Sequence, residues 1–242
     1  MKVIILGAGQ GKRLLPLTAE VPKALLDIGG KPLIARQIDA FAECGLSEFV
    51  VIIGYAAAQM ELELAKIARD KRLTIRTIHN PFYGVADNLA SCWMARGEMA
   101  GDFIQVNGDN LFRADLVRLL LDAPEAAATV AVNHKPAYDG DDMKVMSDLG
   151  RLTEIGKTLP IEAVDAEAIG IYRFRKDGAE AYAEVLEQSM RDPSGLKQWF
   201  PSAIGKLAKR IEVRTMAVDG ISWCEIDFPT DLTEARHLVA SW

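Results

Sequence analysis

The chain has 242 residues, which is enough for one large α/β domain or two small ones, and a chain of this length needs no metal or disulfide to hold its core. Half of the residues are hydrophobic and 26% are charged, the composition of an ordinary globular protein. The formal net charge of −6 argues against nucleic acid as the main partner, because binding a phosphate backbone requires a basic face. The three cysteines form no C-x-x-C pair and indicate neither a zinc cluster nor a disulfide framework.

The sequence contains no stretch of the ~18 uninterrupted apolar residues that a membrane span requires. Its beginning, MKVIILGAGQGKR, has a short apolar run that continues directly into a glycine-rich loop, with no small-residue cleavage site. We therefore interpret it as a first strand and not as a signal peptide. These features predict a cytoplasmic protein that contacts no membrane.

The first half of the chain alternates strands and helices. The predicted strands cover residues 2–6, 48–54, 73–78 and 102–109. The predicted helices begin at Pro32, near residue 58 and after Asp87, which we expect to be a helix cap. Strands that alternate with helices need crossover connections, so this order predicts an α/β fold with a mainly parallel sheet and helices on both faces.

The second half of the chain does not continue the regular alternation of strands and helices. Its predicted strands cover residues 129–134, 143–148, 150–157, 168–174, 211–216 and the segment WCEIDFP, and its predicted helices lie near 177–190, 197–208 and 230–240. We find no Pro/Ser-rich linker, repeat or low-complexity segment. The sequence therefore predicts one domain over 1–242, with a nucleotide-binding half at 1–128 and a mixed half at 129–242.

A glycine-rich loop, GAGQGKR at residues 7–13, directly follows the first strand. Alternate glycines let a ligand approach the backbone closely, and successive N–H groups can form an anion-binding nest. The spacing matches neither the Rossmann fingerprint nor the Walker A motif. Arg13 and Lys23 belong to the same long loop and could converge on a bound phosphate, although a tight turn and a solvated lysine are the simpler alternative for each alone. So long an irregular loop favours a binding function.

The segment GAGQGKRLLPLTAEVPKALLDIGGKPLI resembles the signature of nucleotidyltransferases that act on sugar phosphates and related phospho-alcohols, G-x-G-[ST]-R-x-x-P-x-T followed by P-K and G-x-P-[LM]-[IL]. Lys12 and Gly7 depart from it, since the family often has Ser or Thr and Ala there. The resemblance implies a GT-A-like fold, with an NTP on the first loop and its phosphates held by the catalytic residues Arg13 and Lys23. The implied nucleotide contacts on this loop also include Leu6, Gly7, Ala8, Gly9, Gly11 and Lys12.

Carboxylates at two distant positions predict a Mg²⁺ site. Asp109 ends the strand FIQVNGD, and ligands collect at the carboxyl ends of parallel strands. Mg²⁺ prefers one or two carboxylates together with phosphate oxygens. Glu225 and Asp227 lie two residues apart on a short predicted strand, so we expect both to point to one face. A solvated edge is the alternative, but the family pairs such a strand-end Asp with a late Asp. Asp109 is thus expected to be catalytic, nucleotide-binding and metal-ligating, with Asp227 and Glu225 as further ligands.

The segment NPFYGVADNLASCWMA bears on the choice of nucleotide. It lacks the G-T-[AG] turn usual in enzymes that transfer uridylyl or thymidylyl groups to sugar 1-phosphates. It is similar to the CTP:phosphocholine cytidylyltransferases and to inositol-phosphate and phosphonate cytidylyltransferases. Asn80 and Asn88 offer donors and acceptors for a cytosine or ribose edge. An Asx turn and a polar group inside a helix are the structural alternatives.

The second half, by the same resemblance, binds the acceptor. Related enzymes place lysines at points comparable to Lys144 and Lys157, although surface lysines are equally compatible with these polar segments. Tyr138 and Trp199, with Trp223, could surround a choline head group through cation–π contact, unless they belong to the core. We expect CMP transfer from CTP to a phosphocholine-like or aminoethylphosphonate-like acceptor for cell-surface or phospholipid precursors. The alternatives are a UTP- or dTTP-dependent sugar-1-phosphate nucleotidyltransferase and a non-catalytic nucleotide-sensing domain.

Overall fold

The computed structural model describes all 242 residues. The strands are β1 (Lys2–Leu6), β2 (Glu48–Ile53), β3 (Thr74–His79), β4 (Phe103–Asn107), β5 (Asn110–Phe112), β6 (Ala128–Asn133), β7 (Lys144–Asp148), β8 (Arg151–Gly156), β9 (Ala166–Phe174), β10 (Val213–Ala217) and β11 (Trp223–Glu225). The helices are α1 (Leu33–Ala42), α2 (Ala57–Lys71), α3 (Asn88–Ala95), α4 (Ala114–Asp122), α5 (Lys176–Met190), α6 (Pro201–Ala208) and α7 (Pro229–Ala240). None of these helices has the length and apolar character that a membrane span requires.

The chain divides into two compact units, each built from separate segments. The first unit comprises Lys2–Gly84, Val106–Arg118 and Ile221–Trp242. The second unit comprises Val85–Gln105 and Leu119–Gly220, together with Met1. The chain passes between the units several times, so no single linker separates them in the sequence. The predicted division of one domain at residue 128 stays a prediction.

The first unit contains three parallel strands in the order β3-β2-β1. β1 and β2 are apolar runs buried along nearly their whole length, as is typical of inner strands in an α/β sheet. Helix α1 follows Pro32 and buries Ile34, Ile38 and Phe41, which are three or four residues apart and therefore share one face. Because the strands are parallel, the loop after β1 begins at the sheet edge where all three strands end.

A separate apolar cluster fixes this loop and the C-terminal helix of the first unit. Its buried members are Leu14, Leu26, Ile28, Leu33, Leu111, Ile226, Leu232 and Ala235. Two of them are direct neighbours of residues predicted to be functional, since Leu14 follows Arg13 and Ile226 precedes Asp227. Burial of the apolar neighbour fixes the backbone from which each charged side chain projects.

The second unit contains a mixed sheet. β10 is parallel to β6, whereas β6 is antiparallel to β9 and β7 is antiparallel to both β8 and β9. The ring of Phe174 stacks between those of Phe103 and Tyr182, with centroids 4.7 and 4.5 Å away. Helices α3 and α6 both pack against α5. The predicted α/β class with a mixed sheet is confirmed.

Several element predictions need correction. Strand β5 and helix α4 were not predicted, although Leu116, Val117 and Leu120 form a buried helical face in α4. Helix α6 begins at Pro201, and the preceding residues 193–197 form a 3-10 turn. Asp87 occupies the cap position of α3 without a capping hydrogen bond from its side chain.

Candidate active site

The glycine-rich loop is anchored through its carbonyl oxygens. Ala8 O accepts a backbone N–H at 3.0 Å, and Gly11 O accepts from the Leu14 N–H at 2.9 Å and from the Thr18 hydroxyl at 2.8 Å. The N–H groups of residues 8–12 make no backbone hydrogen bond within the chain. A run of such N–H groups is the feature that lets a turn bind an anion.

Gly11 is the glycine on which the loop geometry depends. Its φ of +75° is left-handed, and a Cβ at this position would lie 2.9 Å from the Cβ of Lys23. Gly9 is different, because a Cβ there would meet nothing within 4 Å. Only glycine at position 11 therefore allows the loop to pack directly on the aliphatic part of Lys23.

Lys23 is buried, with 9% of its surface exposed, and its ammonium lies between two carboxylates. Its Nζ is 3.0 Å from Asp109 Oδ2 and 2.5 Å from Asp227 Oδ1. Burial by itself lowers the pKa of Lys23, but the charges and hydrogen bonds of the two carboxylates outweigh burial and raise this pKa above its ordinary value. Lys23 therefore carries its charge throughout the neutral pH range.

Arg13 contacts the same carboxylate from a more exposed position. One of its terminal nitrogens lies 3.2 Å from Asp227 Oδ2. Its guanidinium carbon is 5.2 Å from the centroid of the Phe228 ring, a cation–π distance. The structure thus brings both predicted phosphate-binding cations to one carboxylate.

Asp109 lies in the tight turn between β4 and β5. The preceding Gly108 donates its N–H to Leu6 O at 3.1 Å, and a Cβ on Gly108 would lie 2.7 Å from that same oxygen. The Asp109 carbonyl accepts the Ile226 N–H at 3.1 Å. The turn is therefore fixed to the end of β1 on one side and to the segment after β11 on the other.

Glu225 and Asp227 do not lie on one strand, although the sequence had predicted that they would. β11 pairs antiparallel with β5, and Glu225 lies opposite Asn110. The strand ends at Glu225, so the prediction that Glu225 and Asp227 lie on one strand is wrong. Asp227 lies instead in the connection to α7, where the Asp231 carboxylate accepts the N–H groups of Asp227 and Phe228, each at 2.8 Å.

Asp109, Glu225 and Asp227 nevertheless form one cluster. Each offers a carboxylate oxygen, and these oxygens lie within 4.8 Å of one another. Asp109 Oδ1 is buried and makes no hydrogen bond. Carboxylate oxygens at this spacing are the donor set that a hard divalent cation such as Mg²⁺ takes. The cluster, with Lys23 and Arg13 beside it, can hold a cation and neutralise phosphate groups.

Gln37 is a residue at this site that the sequence prediction missed. It is fully buried on α1, and its side-chain nitrogen donates to Asn107 O at 2.8 Å and to Asn110 O at 2.7 Å. These two carbonyls flank Gly108 and Asp109 in the turn. The sequence could have indicated Gln37 as unusual, because it is a polar residue on the otherwise apolar face of α1.

The two asparagines predicted to read the base both make structural hydrogen bonds. Asn80 is buried, and its side-chain oxygen accepts the N–H of Phe82 at 2.9 Å, the pattern of an Asx turn. The side-chain oxygen of Asn88 accepts the N–H of Phe200 at 2.9 Å. Their roles in nucleotide binding stay predictions, and any such role of Asn88 would rest on its amide nitrogen.

The predicted acceptor lysines lie close together in the second unit. Lys144 is buried, and its ammonium donates to the carbonyls of Asp139 and, at 2.8 Å, Lys157. The Lys157 ammonium lies 4.5 Å from the centroid of the exposed Trp199 ring and 3.6 Å from Asp141. The ring proposed for a choline head group therefore already has a cationic neighbour.

Tyr138 lies beside a charged cluster that the sequence prediction did not identify. Its hydroxyl donates to Asp165 O at 2.8 Å, and the Lys135 ammonium is 5.8 Å from its ring centroid. Lys135 also lies 2.6 Å from Asp142 and 2.8 Å from Glu167. Burial raises the pKa of Glu167 despite Lys135, whereas the hydrogen bonds from Lys135 and the Asp139 N–H outweigh burial and lower the pKa of Asp142.

The family model described as "Nucleotidyl transferase" matches residues 2–241, nearly the whole chain. The chain belongs to the nucleotidyl transferase family. The family signature in this nucleotidyltransferase carries Arg13 and Lys23, the two cations that converge on Asp227 in the first unit. The predicted family and enzyme class are therefore confirmed.

Three comparisons describe how this nucleotidyltransferase relates to known proteins. It is 35% identical to the choline-phosphate cytidylyltransferase of Streptococcus pneumoniae, covering 99% of this chain and 98% of that protein. It is 27% identical to the bifunctional IPC transferase and DIPP synthase of Aquifex aeolicus, covering 96% of this chain but only half of the length of that relative. The solved inositol-1-phosphate CTP transferase of T. maritima has the same fold, with a TM-score of 0.83, 20% identity and coverage of 99% and 94%.

Proposed function

We propose that this nucleotidyltransferase is a Mg²⁺-dependent cytidylyltransferase. It would transfer CMP from CTP to a small phosphorylated or phosphonate alcohol or amine, phosphocholine-like or aminoethylphosphonate-like, and release pyrophosphate. The observation that carries this proposal is the convergence of Lys23 and Arg13 on a cluster of three carboxylates. A domain that only sensed nucleotides would not need this concentration of charge beside the glycine-rich loop.

The proposed reaction is an in-line displacement at the α-phosphorus of CTP. An anionic oxygen of the acceptor attacks the phosphorus, and the new O–P bond forms as the bond to the bridging oxygen breaks. Pyrophosphate leaves with the electron pair of that bond. Because the attacking oxygen is already anionic near pH 7, no side chain needs to remove a proton, and catalysis comes from alignment and charge neutralisation.

Different residues of the first unit would bind the phosphates and the cation. The N–H groups of residues 8–12 and Arg13 would bind the phosphates that leave, and Lys23 would bind the α-phosphate together with the attacking group. Asp109 and Asp227, with Glu225 beside them, would hold Mg²⁺. When bound there, Mg²⁺ neutralises charge on phosphate oxygens and orients them. The raised pKa of Lys23 keeps its ammonium charged at the pH of the reaction.

The choice of CTP rests on relatives and on one segment of sequence. The S. pneumoniae relative, which is named for phosphocholine cytidylyl transfer, is matched over almost its full length. The segment Ala86–Asp87–Asn88 replaces the glycine-rich turn usual in sugar-1-phosphate enzymes. Both features favour CTP over UTP or dTTP, and the acceptor-binding roles of Lys144 and Lys157 belong to the same proposal.

A screen of substrate pairs tests this function. Each of CTP, UTP, dTTP and ATP is mixed with phosphocholine, aminoethylphosphonate, inositol phosphate and glucose 1-phosphate, and pyrophosphate release is measured with Mg²⁺ and with excess EDTA. We expect release with CTP and one of the first three acceptors, and none with EDTA. Release only from UTP or dTTP with glucose 1-phosphate would establish the sugar-nucleotide alternative, and Mg²⁺-independent release would contradict the metal assignment.

A further inference from the structure

Gln37 contacts the turn that carries Asp109 through two hydrogen bonds from one amide group. Its side-chain nitrogen lies 2.8 Å from Asn107 O and 2.7 Å from Asn110 O, the carbonyls on either side of Gly108 and Asp109. The amide is fully buried, and so is its bond to Asn110 O. One rigid group on α1 thereby sets the distance between the two ends of the turn.

The other contacts of the turn do not duplicate this one. The Gly108 N–H donates to Leu6 O at 3.1 Å, and the Asp109 carbonyl accepts from the Ile226 N–H at 3.1 Å. These bonds fix the centre of the turn to its neighbours, whereas the Gln37 amide bonds to the carbonyls at its two ends. Loss of a buried donor is costly to the acceptors that it served.

We infer that Gln37 is a positioning residue that sets the orientation of the Asp109 carboxylate toward the cation and the nucleotide phosphates. This inference rests on the proposed function of the carboxylate cluster. Asp109 Oδ1 is buried and makes no hydrogen bond, whereas Asp109 Oδ2 contacts Lys23. Lys23 holds Oδ2 from one side, and the backbone of the turn, whose two ends Gln37 joins, sets the place from which the carboxylate projects. Outer hydrogen bonds of this kind typically change metal affinity about 10- to 100-fold when they are removed.

The structure offers a matched control for the loss of a buried amide. Gln105 is also fully buried, and its side-chain oxygen accepts a 3.3 Å hydrogen bond from the Tyr182 hydroxyl in the second unit. Gln105→Met therefore removes the same functional group from a buried position on β4 whose side chain bonds to Tyr182 and makes no hydrogen bond to the Asn107 or Asn110 carbonyls. Gln37→Met keeps the length and apolar volume of the side chain but removes both donors.

Mn²⁺ binding in the presence of CTP and without acceptor, measured by electron paramagnetic resonance, tests the inference apart from turnover. We expect Gln37→Met to weaken Mn²⁺ binding about 10- to 100-fold and Gln105→Met to leave it unchanged. The Mg²⁺ concentration for half-maximal pyrophosphate release should rise in parallel, with little change in the KM for CTP at saturating Mg²⁺. Should Gln37→Met fail to fold, Gln37→Leu, which is smaller and also has no donor, takes its place.

Native Mn²⁺ affinity in the folded Gln37 variant would overturn the positioning role. Equal weakening in the Gln37 and Gln105 variants would overturn it as well, because the effect would then be a general consequence of a damaged core. Failure of the native protein to bind Mn²⁺ with CTP is a different result. It would contradict the proposed metal site itself, and the role of Gln37 would fall with it.

Discussion

At the scale of single residues, the site depends on a buried lysine held between two carboxylates. Lys23 lies within 3.0 Å of both Asp109 and Asp227, which come from segments far apart in the chain, the second of them 204 residues away. A buried ammonium is tolerated only when it is paired, because burying an isolated charge is costly. The carboxylates in turn would repel each other without it. The three charges therefore depend on one another for stability as well as for the proposed chemistry.

Replacement of this lysine should change how stability depends on pH. In Lys23→Met the two carboxylates lose the cation between them, while the more exposed Arg13 stays beside Asp227. We therefore expect the free energy of unfolding at pH 8 to fall by about 1–3 kcal/mol, less than for a fully buried pair because Asp227 is partly exposed. The raised pKa of Lys23 means that its contribution in the native protein is present below pH ~10 and is lost only as the pH rises through the folded-state pKa.

Urea unfolding of the two proteins between pH 4 and pH 8 measures this difference. The two carboxylates of the variant repel each other while both are charged, so its stability deficit should shrink as the pH falls and that repulsion is lost. Added Mg²⁺ should also reduce the deficit at pH 8. A deficit that is constant with pH and insensitive to Mg²⁺ would show that Lys23 stabilises the fold through packing alone.

At the scale of elements, the glycine-rich loop could be predicted better than the segment that carries the late carboxylates. The apolar run of β1 and the alternate glycines after it predicted the strand and loop, because both signals are local. Asp227 was predicted on the wrong element, because the hydrogen bonds that the Asp231 carboxylate accepts between β11 and α7 are not visible as periodicity. Strand β5 has three residues, too few to show alternation.

Gln37 shows a second reason why the site could not be fully predicted from the sequence. Its place on the apolar face of α1 could have marked it as unusual, since a polar residue there must find a buried partner. The identity of that partner could not be predicted, because the carbonyls of Asn107 and Asn110 carry no sequence signal. Backbone acceptors are the same at every residue, so contacts to them emerge only from the fold.

The loop itself makes a testable prediction through Gly11. Gly11→Ala forces a Cβ to within 2.9 Å of Lys23 Cβ at a left-handed backbone position. Left-handed backbone costs about 1–2 kcal/mol for an L-residue, and the displaced lysine should raise the KM for CTP. Thermal unfolding and steady-state kinetics check the two effects. Gly97→Ala is the control, because Gly97 has no left-handed backbone, has open space around it and lies outside the segments of the proposed site; equal effects in both variants would contradict this account.

At the scale of the whole molecule, the cations and carboxylates of the proposed site all belong to one compact unit. Lys2–Gly84, Val106–Arg118 and Ile221–Trp242 form the first unit, which contributes the loop, the Asp109 turn and the late carboxylates. The second unit contains Tyr138, Lys144, Lys157 and Trp199, which are predicted to bind the acceptor, whereas Trp223 belongs to the first unit. The sequence does not indicate this division by composition, because the chain leaves and re-enters each unit without a linker. Only long-range contacts, such as the pairing of β5 with β11, define it.

The most direct test of the central claim is Mg²⁺-dependent pyrophosphate release by Asp109→Asn, measured with CTP and the acceptor identified by the screen. The substitution keeps the side-chain size but removes the charge that Lys23 and the cation require. We expect kcat/KM to fall at least about 100-fold, as for the loss of a group that acts on transition-state charge, while thermal unfolding shows an intact fold. Activity within a few-fold of the native protein would contradict the assignment of the carboxylate cluster as the catalytic metal site.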